Sequence, residues 1–106
     1  MQAIATALET REPELDELSL RRAQQRHGPS FRVLVERYQP AVWSLLWRML
    51  EREFGAARVE DLCQETFLRV YRALPDFRTD GPARLSTWVL TIATRLARAR
   101  SLRASG

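Results

Sequence analysis

The chain has 106 residues, 45% of them hydrophobic, which is enough for one domain with one modest core. A single Cys, Cys63, and a single His, His27, exclude an internal disulfide and leave too few ligands for a structural zinc site. The formal charge is +4 and all 17 basic residues are Arg; no apolar run approaches the roughly 18 residues of a membrane span and no basic-then-apolar leader opens the chain, so a cytoplasmic protein without membrane insertion is expected.

Residues 1–13 have weak periodicity and end at Pro13, and a flexible N-terminal segment is expected there. A short helix is predicted from Glu14 to Arg26, with Leu15, Leu18 and either Ala23 or Arg22 on its inner stripe. Gly28-Pro29 ends it and opens the next helix, Gly28 as N-cap and Pro29 at the first helical position. Phe31, Leu34, Val35 and Tyr38 mark the inner face of this second helix. Pro40 lacks an N–H, so a kink or restart is expected there. Val42, Leu45, Leu46 and Met49 carry the stripe toward Phe54, flanked by Trp43, Trp47 and Leu50, which makes this the most buried element. Trp43 and Trp47 lie one turn apart and are expected to pack, partly buried, against the first helix.

Gly55-Ala56-Ala57 is predicted as a turn, and a third helix as running from Arg58 to Leu74, before Pro75. Residues 75–85 hold two Pro, a Gly and two Asp and are predicted as a loop. Ser86 is placed as the cap of a fourth helix that turns Leu85, Trp88, Val89, Ile92 and Leu96 inward. No alternating strand pattern appears, so the fold class expected is all-α, a compact bundle of about four helices.

Two features point to binding. On the third helix Leu62, Cys63, Phe67, Val70 and Tyr71 form a buried stripe, with Cys63 as a buried thiol, while Asp61, Gln64, Glu65 and Leu68 recur at i, i+3, i+4 and i+7 on another face. Carboxylates near a helix N-terminus are favoured by the macrodipole, which accounts for Glu60 and Asp61 but not for Gln64, Glu65 and an outward Leu68. Charge is also uneven. Residues 66–106 carry eight Arg against Asp76 and Asp80, and the rest of the chain carries a small acidic excess. A one-sided basic excess is the footprint of a nucleic-acid binder or of a solvated basic helix. No carboxylate pair, nucleophile–base set or phosphate loop is visible, so no enzymatic activity and no cofactor are expected.

From Phe31 to Ala97 the chain resembles region 2 of a bacterial sigma factor of the extracytoplasmic-function (ECF) type, in the sigma-70 family. The matching residues are Phe31-x-x-Leu34-x-x-x-Tyr38, Asp61-x-x-Gln64-Glu65-x-Phe67, Tyr71-Arg72-Ala73-Leu74, Phe77-Arg78 and Thr87-Trp88-Val89-x-x-Ile92-Ala93, with Leu18-x-x-Arg21-x-x-Gln24 fitting the family's first helix. The resemblance implies a region 2 domain over residues 14–100 and a tail, or the start of an interdomain linker, at 101–106; a complete family member also carries a helix-turn-helix domain for the minus-thirty-five element. It implies a transcription initiation factor domain that docks on the beta-prime clamp helices of RNA polymerase core through Asp61, Gln64, Glu65, Leu68, Arg69 and Arg72. It further implies recognition and melting of the promoter minus-ten element on the non-template strand. The loop between the third and fourth helices, with Arg78, Thr79, Asp80 and Arg84, would capture a flipped base. Thr87, Thr91, Thr94, Arg95 and Arg98 would hold the strand along the fourth helix. An anti-sigma factor is a further implied partner. Two departures stand out: the loop is about two residues longer than is common in the family, and Arg95 replaces a frequent Asn. The alternative reading is a sigma-like helical interaction module that binds a regulator or polymerase without reading promoter DNA.

Overall fold

The computed structural model describes the backbone of residues 14–105 and the side chains of residues 14–50 and 55–101; the expectation for residues 1–13 lies outside the described residues. Among the described residues three α-helices and one 3-10 turn follow in order: α1 (Glu17–Gln24), α2 (Gly28–Ala73), the 3-10 turn (Leu74–Asp76) and α3 (Leu85–Ser105). The fold is an all-α bundle, as expected.

α2 is two helices in one. Its 46 residues would extend roughly 69 Å at 1.5 Å per residue, yet the molecule's longest dimension is 41 Å. The chain folds back at Gly55, whose φ of 77° and ψ of 177° break the helix. The predicted turn is therefore a single-residue reversal, in a region of backbone space that only glycine enters readily. The two limbs run antiparallel. Phe31 meets the Tyr71 ring edge-on at 5.0 Å, and Val35, Gln39 and Trp43 share a cleft with Glu60, Cys63, Gln64 and Phe67.

Of the kink or restart expected at Pro40, the restart does not occur: the non-helical backbone inside α2 is at Gly55. Pro40 and Glu36 are both exposed, so water can reach the carbonyl that loses its partner, which lowers the cost of the missing bond.

The core unites Leu34, Tyr38, Val42, Leu46 and Leu50 of the first limb, Val59, Leu62, Phe67 and Val70 of the second, and Leu85, Val89, Ala93 and Leu96 of α3. Thr66 is fully buried among them, its hydroxyl satisfied by donating to the Leu62 carbonyl at 2.7 Å. Cys63 is a buried free thiol, as predicted, and burial followed by the nearby Glu60 carboxylate pushes its pKa up.

α1 differs from prediction. It begins at Glu17, capped by Asp16, whose carboxylate accepts the Ser19 amide. Glu14 and Leu15 precede it outside any helix. Leu15, Leu20 and Ala23 are buried and Leu18 is 57% exposed, so the predicted stripe through Leu18 is wrong: with the helix starting later, Leu15 reaches the core from outside it. α1 ends with Arg26 at φ 68°. There the Arg26 amide bonds the Ala23 carbonyl and the His27 amide bonds the Arg22 carbonyl, both at 3.0 Å, the paired closure usual for a left-handed helix cap. The strain of a non-glycine residue in that conformation is offset by its side chain. The guanidinium lies 4.3 Å from the centre of the Tyr71 ring and donates to the Tyr71 carbonyl. His27, rather than Gly28, occupies the N-cap position of α2.

The tryptophans sit at edges. Trp43 and Trp47 stack on each other at 6.1 Å and 19° and line a groove with Ser44, Arg48 and Ala56. Trp43 shares a cleft with the second limb and Trp47 is exposed. Trp88 is half-buried on the edge of the core and packs on Phe77, ring centres 4.9 Å apart.

Candidate docking face and nucleic-acid interface

The second limb of α2 turns its apolar stripe into the core, so the residues on the other side must face outward. Asp61, Gln64, Glu65, Leu68, Arg69 and Arg72 fall within a sector of roughly 140° at 100° per residue, and together they line one surface groove. Leu68 is 50% exposed at its centre. The side chains predicted to act together are thus brought together. One further residue lines the groove, Arg100 from α3.

Arg100 changes the electrostatics of the face. Its Nη2 donates to Glu65 Oε1 at 2.6 Å, and Arg69 Nη2 reaches Glu65 Oε2 at 3.3 Å. Each Glu65 oxygen therefore has an internal guanidinium partner, and Glu65 is half-buried. Asp61 and Gln64 are exposed one turn earlier. The groove is acidic and amide-bearing at its Asp61 end and basic at its Arg72 end. Arg100 was missed because it was counted with the basic end of the chain. The available signal was angular: on α3 it lies in the same direction as Val89, Ala93 and Leu96, so it points toward the second limb.

The loop after the 3-10 turn is exposed at Arg78, Thr79, Asp80 and Arg84. It is held internally by the Gly81 amide donating to the Arg78 carbonyl at 3.2 Å and by an Arg78–Asp80 ion pair at 3.5 Å. The ends of the loop are tied to distant residues. Gln24 Nε2 donates to the Leu74 carbonyl at 3.1 Å and the Phe77 carbonyl at 2.9 Å. Ser86 does not cap α3 as predicted. Its amide donates to Glu14 Oε1 at 3.0 Å and its hydroxyl to Glu14 Oε2 at 2.6 Å. The cap is a carboxylate from 72 residues away, because α3 begins at Leu85 and places Ser86 already inside its first turn.

On α3, Arg84, Thr87, Thr91, Thr94, Arg95 and Arg98 share a sector of roughly 100°. Arg84, Thr87, Arg95 and Arg98 are exposed, and Thr91 and Thr94 are half-buried. The Thr91 hydroxyl donates to the Thr87 carbonyl at 2.7 Å and the Thr94 hydroxyl to the Leu90 carbonyl at 2.9 Å. In these rotamers both hydroxyls have spent their proton on the helix. The guanidinium groups are then the donors available to a phosphate, with Thr87 beside them. Among the described residues no cluster of metal-ligating side chains occurs and no helix is long and apolar enough to cross a membrane.

Comparison with known proteins fits this geometry. Residues 34–105 match the model of the Sigma-70 region 2 family. The chain is 35% identical over 83 residues to the ECF RNA polymerase sigma-E factor of Haemophilus influenzae, covering 78% of this chain and 41% of that one. It is 36% identical over 83 residues to the sigma-E factor of Escherichia coli strain K12, covering 78% and 40%. The chain thus spans about two-fifths of the length of these curated relatives. Among solved structures it is similar to an engineered region 2 of sigmaE, determined by NMR in complex with GTAAAA. The TM-score is 0.74 and the identity 32%, covering 89% of this chain and 93% of that one. The chain belongs to the Sigma-70 region 2 family, in its ECF branch.

Proposed function

We propose that this domain is a promoter-recognition module of a transcription initiation factor. In this reading the loop at 77–84 captures a base of the minus-ten non-template strand and Arg84, Arg95 and Arg98 hold its phosphates. The Asp61–Gln64–Glu65 face, with Leu68, Arg69 and Arg72, docks on the clamp helices of RNA polymerase. The observation that carries the reading is the likeness to a region 2 domain bound to GTAAAA, at 32% identity over nearly the whole of both chains. The uneven charge supports it: the basic excess falls on the loop and α3, and phosphate contacts supply salt-dependent, sequence-independent affinity. Docking is supported by the exposure of Asp61, Gln64 and Leu68 on one groove, where a basic partner would find two acceptors around an apolar centre.

Two sets of variants test the two halves. Binding of labelled GTAAAA and of a scrambled strand is measured by fluorescence anisotropy across a salt series. Arg98→Ala lowers affinity for both strands alike and flattens the slope of log K against log salt by about 0.7 for the lost phosphate contact. Replacing Thr79-Asp80-Gly81 with Gly/Ser residues erases the preference for GTAAAA; an undiminished preference refutes base capture by this loop. For docking, Asp61→Arg combined with Gln64→Ala weakens binding to a purified clamp fragment by about 2–5 kcal/mol. Unchanged clamp affinity refutes the docking face.

A further inference from the structure

We propose that α1 and the residues leading into it form a bracket that sets the geometry of the capture loop, with Glu14 and Gln24 as its positioning residues. The inference rests on the reading of residues 77–84 as the DNA-capturing loop.

The loop has little to hold its own shape. Its internal ties are one turn bond and an ion pair whose two side chains are 78% and 79% exposed, and such exposed pairs hold weakly. Its ends are another matter. At the incoming end Gln24 gives its amide hydrogens to the backbone carbonyls of Leu74 and Phe77, the two residues whose N–H···O bond closes the 3-10 turn. Two residues further on, the Arg26 guanidinium covers the Tyr71 ring in the preceding turn of α2. At the outgoing end the Glu14 carboxylate takes the Ser86 amide and hydroxyl. An anion at a helix N-terminus also meets the positive end of the helix dipole. Glu14 is itself fixed: the Tyr38 hydroxyl donates to Oε1 at 3.0 Å and accepts the Leu15 amide at 3.0 Å. Tyr38 is 1% exposed, so the chain of bonds from α3 ends on a rigid core residue.

Gln24 at the last residue of α1 and Glu14, three residues before its first, thus grip the two ends of the loop. α1 spans eight residues, too short to be stable alone, and the segment 14–24 makes side-chain bonds to loop-flanking backbone at both of its ends. A pocket that reads a base must be preorganised, since any loop freedom is lost at the expense of binding. The bracket supplies that preorganisation without touching DNA.

The test uses the whole domain. Gln24→Met keeps the side-chain length and removes both donors; Glu14→Ala removes the carboxylate, and Glu14→Gln restores one acceptor for the Ser86 amide but none for its hydroxyl. Leu20→Val serves as a control that destabilises α1 packing alone. Three quantities are read well below the melting temperature: affinity for GTAAAA, affinity for a scrambled strand, and ¹⁵N relaxation of residues 77–86. Gln24→Met and Glu14→Ala are expected to lower the strand preference by about fivefold, the effect of losing net hydrogen bonds worth roughly 1 kcal/mol, with scrambled-strand affinity unchanged. Fast motion should appear at residues 78–84. Glu14→Gln is expected to recover part of the preference, and Leu20→Val to retain it at an equal or lower melting temperature.

A Gln24→Met domain that keeps full preference, or Leu20→Val losing as much as Gln24→Met, overturns the bracket. If Glu14→Ala does not fold, Gln24→Met alone decides. If the unaltered domain prefers neither strand, base capture itself fails, and relaxation then judges the bracket separately: a loop that stays rigid in the Gln24→Met and Glu14→Gln domains overturns it.

Discussion

Substituting Ala at Gly55 and at Gly28 tests the hairpin reversal with an internal control. At both positions a Cβ would meet nothing within 4 Å beyond its chain neighbours and its own helix, so packing across the fold contributes nothing to either change. Backbone alone separates them. Gly55 sits at φ 77°, ψ 177°, a region costing non-glycine residues of order 1–3 kcal/mol. Gly28 lies in the first turn of α2 without a positive φ, so an Ala there meets no left-handed penalty and only the restriction placed on any residue before a proline, here Pro29. The same substitution therefore carries the left-handed cost at one position and not at the other, 27 residues apart in one helix. For a domain of this size about 1 kcal/mol moves Tm by roughly 4–8 °C, so Gly55→Ala lowers Tm by about 5–20 °C and Gly28→Ala changes it by less. Urea unfolding followed by circular dichroism measures both midpoints, with an unchanged m-value showing that the same surface unfolds. A neutral Gly55→Ala refutes the reversal at this residue. The functional consequence is direct, since this reversal lays the limb carrying Asp61, Gln64 and Glu65 against the first limb and leaves its polar face outward.

Other expectations follow from buried groups. Phe67→Ala, at a site 7% exposed, costs about 3–5 kcal/mol, a large share of the 5–15 kcal/mol typical of a domain; an unchanged melting temperature would mean that the faces of the second limb are inverted. Tyr38 is pushed up to about 12, chiefly by burial. The unfolded phenol titrates near 10, so above that pH the unfolded state sheds a proton the native state keeps. The stability from Tyr38 is therefore full below about pH 10 and lost progressively up to about pH 12, of order 2–3 kcal/mol in all. Tyr38→Phe should flatten that alkaline loss in urea titrations, and an identical slope for both proteins would contradict the assignment.

Local periodicity made most of the framework legible. The stripes Leu34–Tyr38–Val42 and Leu62–Val70 are spaced by helical geometry, and a run of apolar residues at such spacing marks the face that packs inward. The outward face at Asp61, Gln64 and Leu68 was legible for the same reason. Position along a stripe did not reveal partnerships across the fold. Gln24 to Phe77, Glu14 to Ser86 and Glu65 to Arg100 join residues 53, 72 and 35 positions apart. Nothing in the spacing of a lone Gln or Glu marks a partner that distant. Leu18 failed for a different reason: its place on the inner stripe assumed a helix starting at Glu14, and in the helix that starts at Glu17 it faces largely outward.

The pairing of Glu65 with Arg100 bears on how the proposed docking and DNA contacts could use separate surfaces. α3 has two polar directions. Arg95 and Arg98 face outward with Thr87, whereas Arg100 turns onto the second limb of α2 and binds Glu65. In the proposed reading one helix supplies guanidinium groups for phosphate on one side and braces the docking limb on the other. Glu65 would then be shared between an internal and an external role, and its charge is already balanced by Arg69 and Arg100. Reversing that charge would set a third guanidinium beside two others at a half-buried site, where unpaired charge is costly. Stability would fall before any partner is added. A loss of clamp binding in a Glu65→Arg protein would therefore carry two causes at once. Asp61 and Gln64, exposed one turn earlier on the same groove, separate them: substitutions there alter what a basic partner meets while the Glu65–Arg100 brace stays in place.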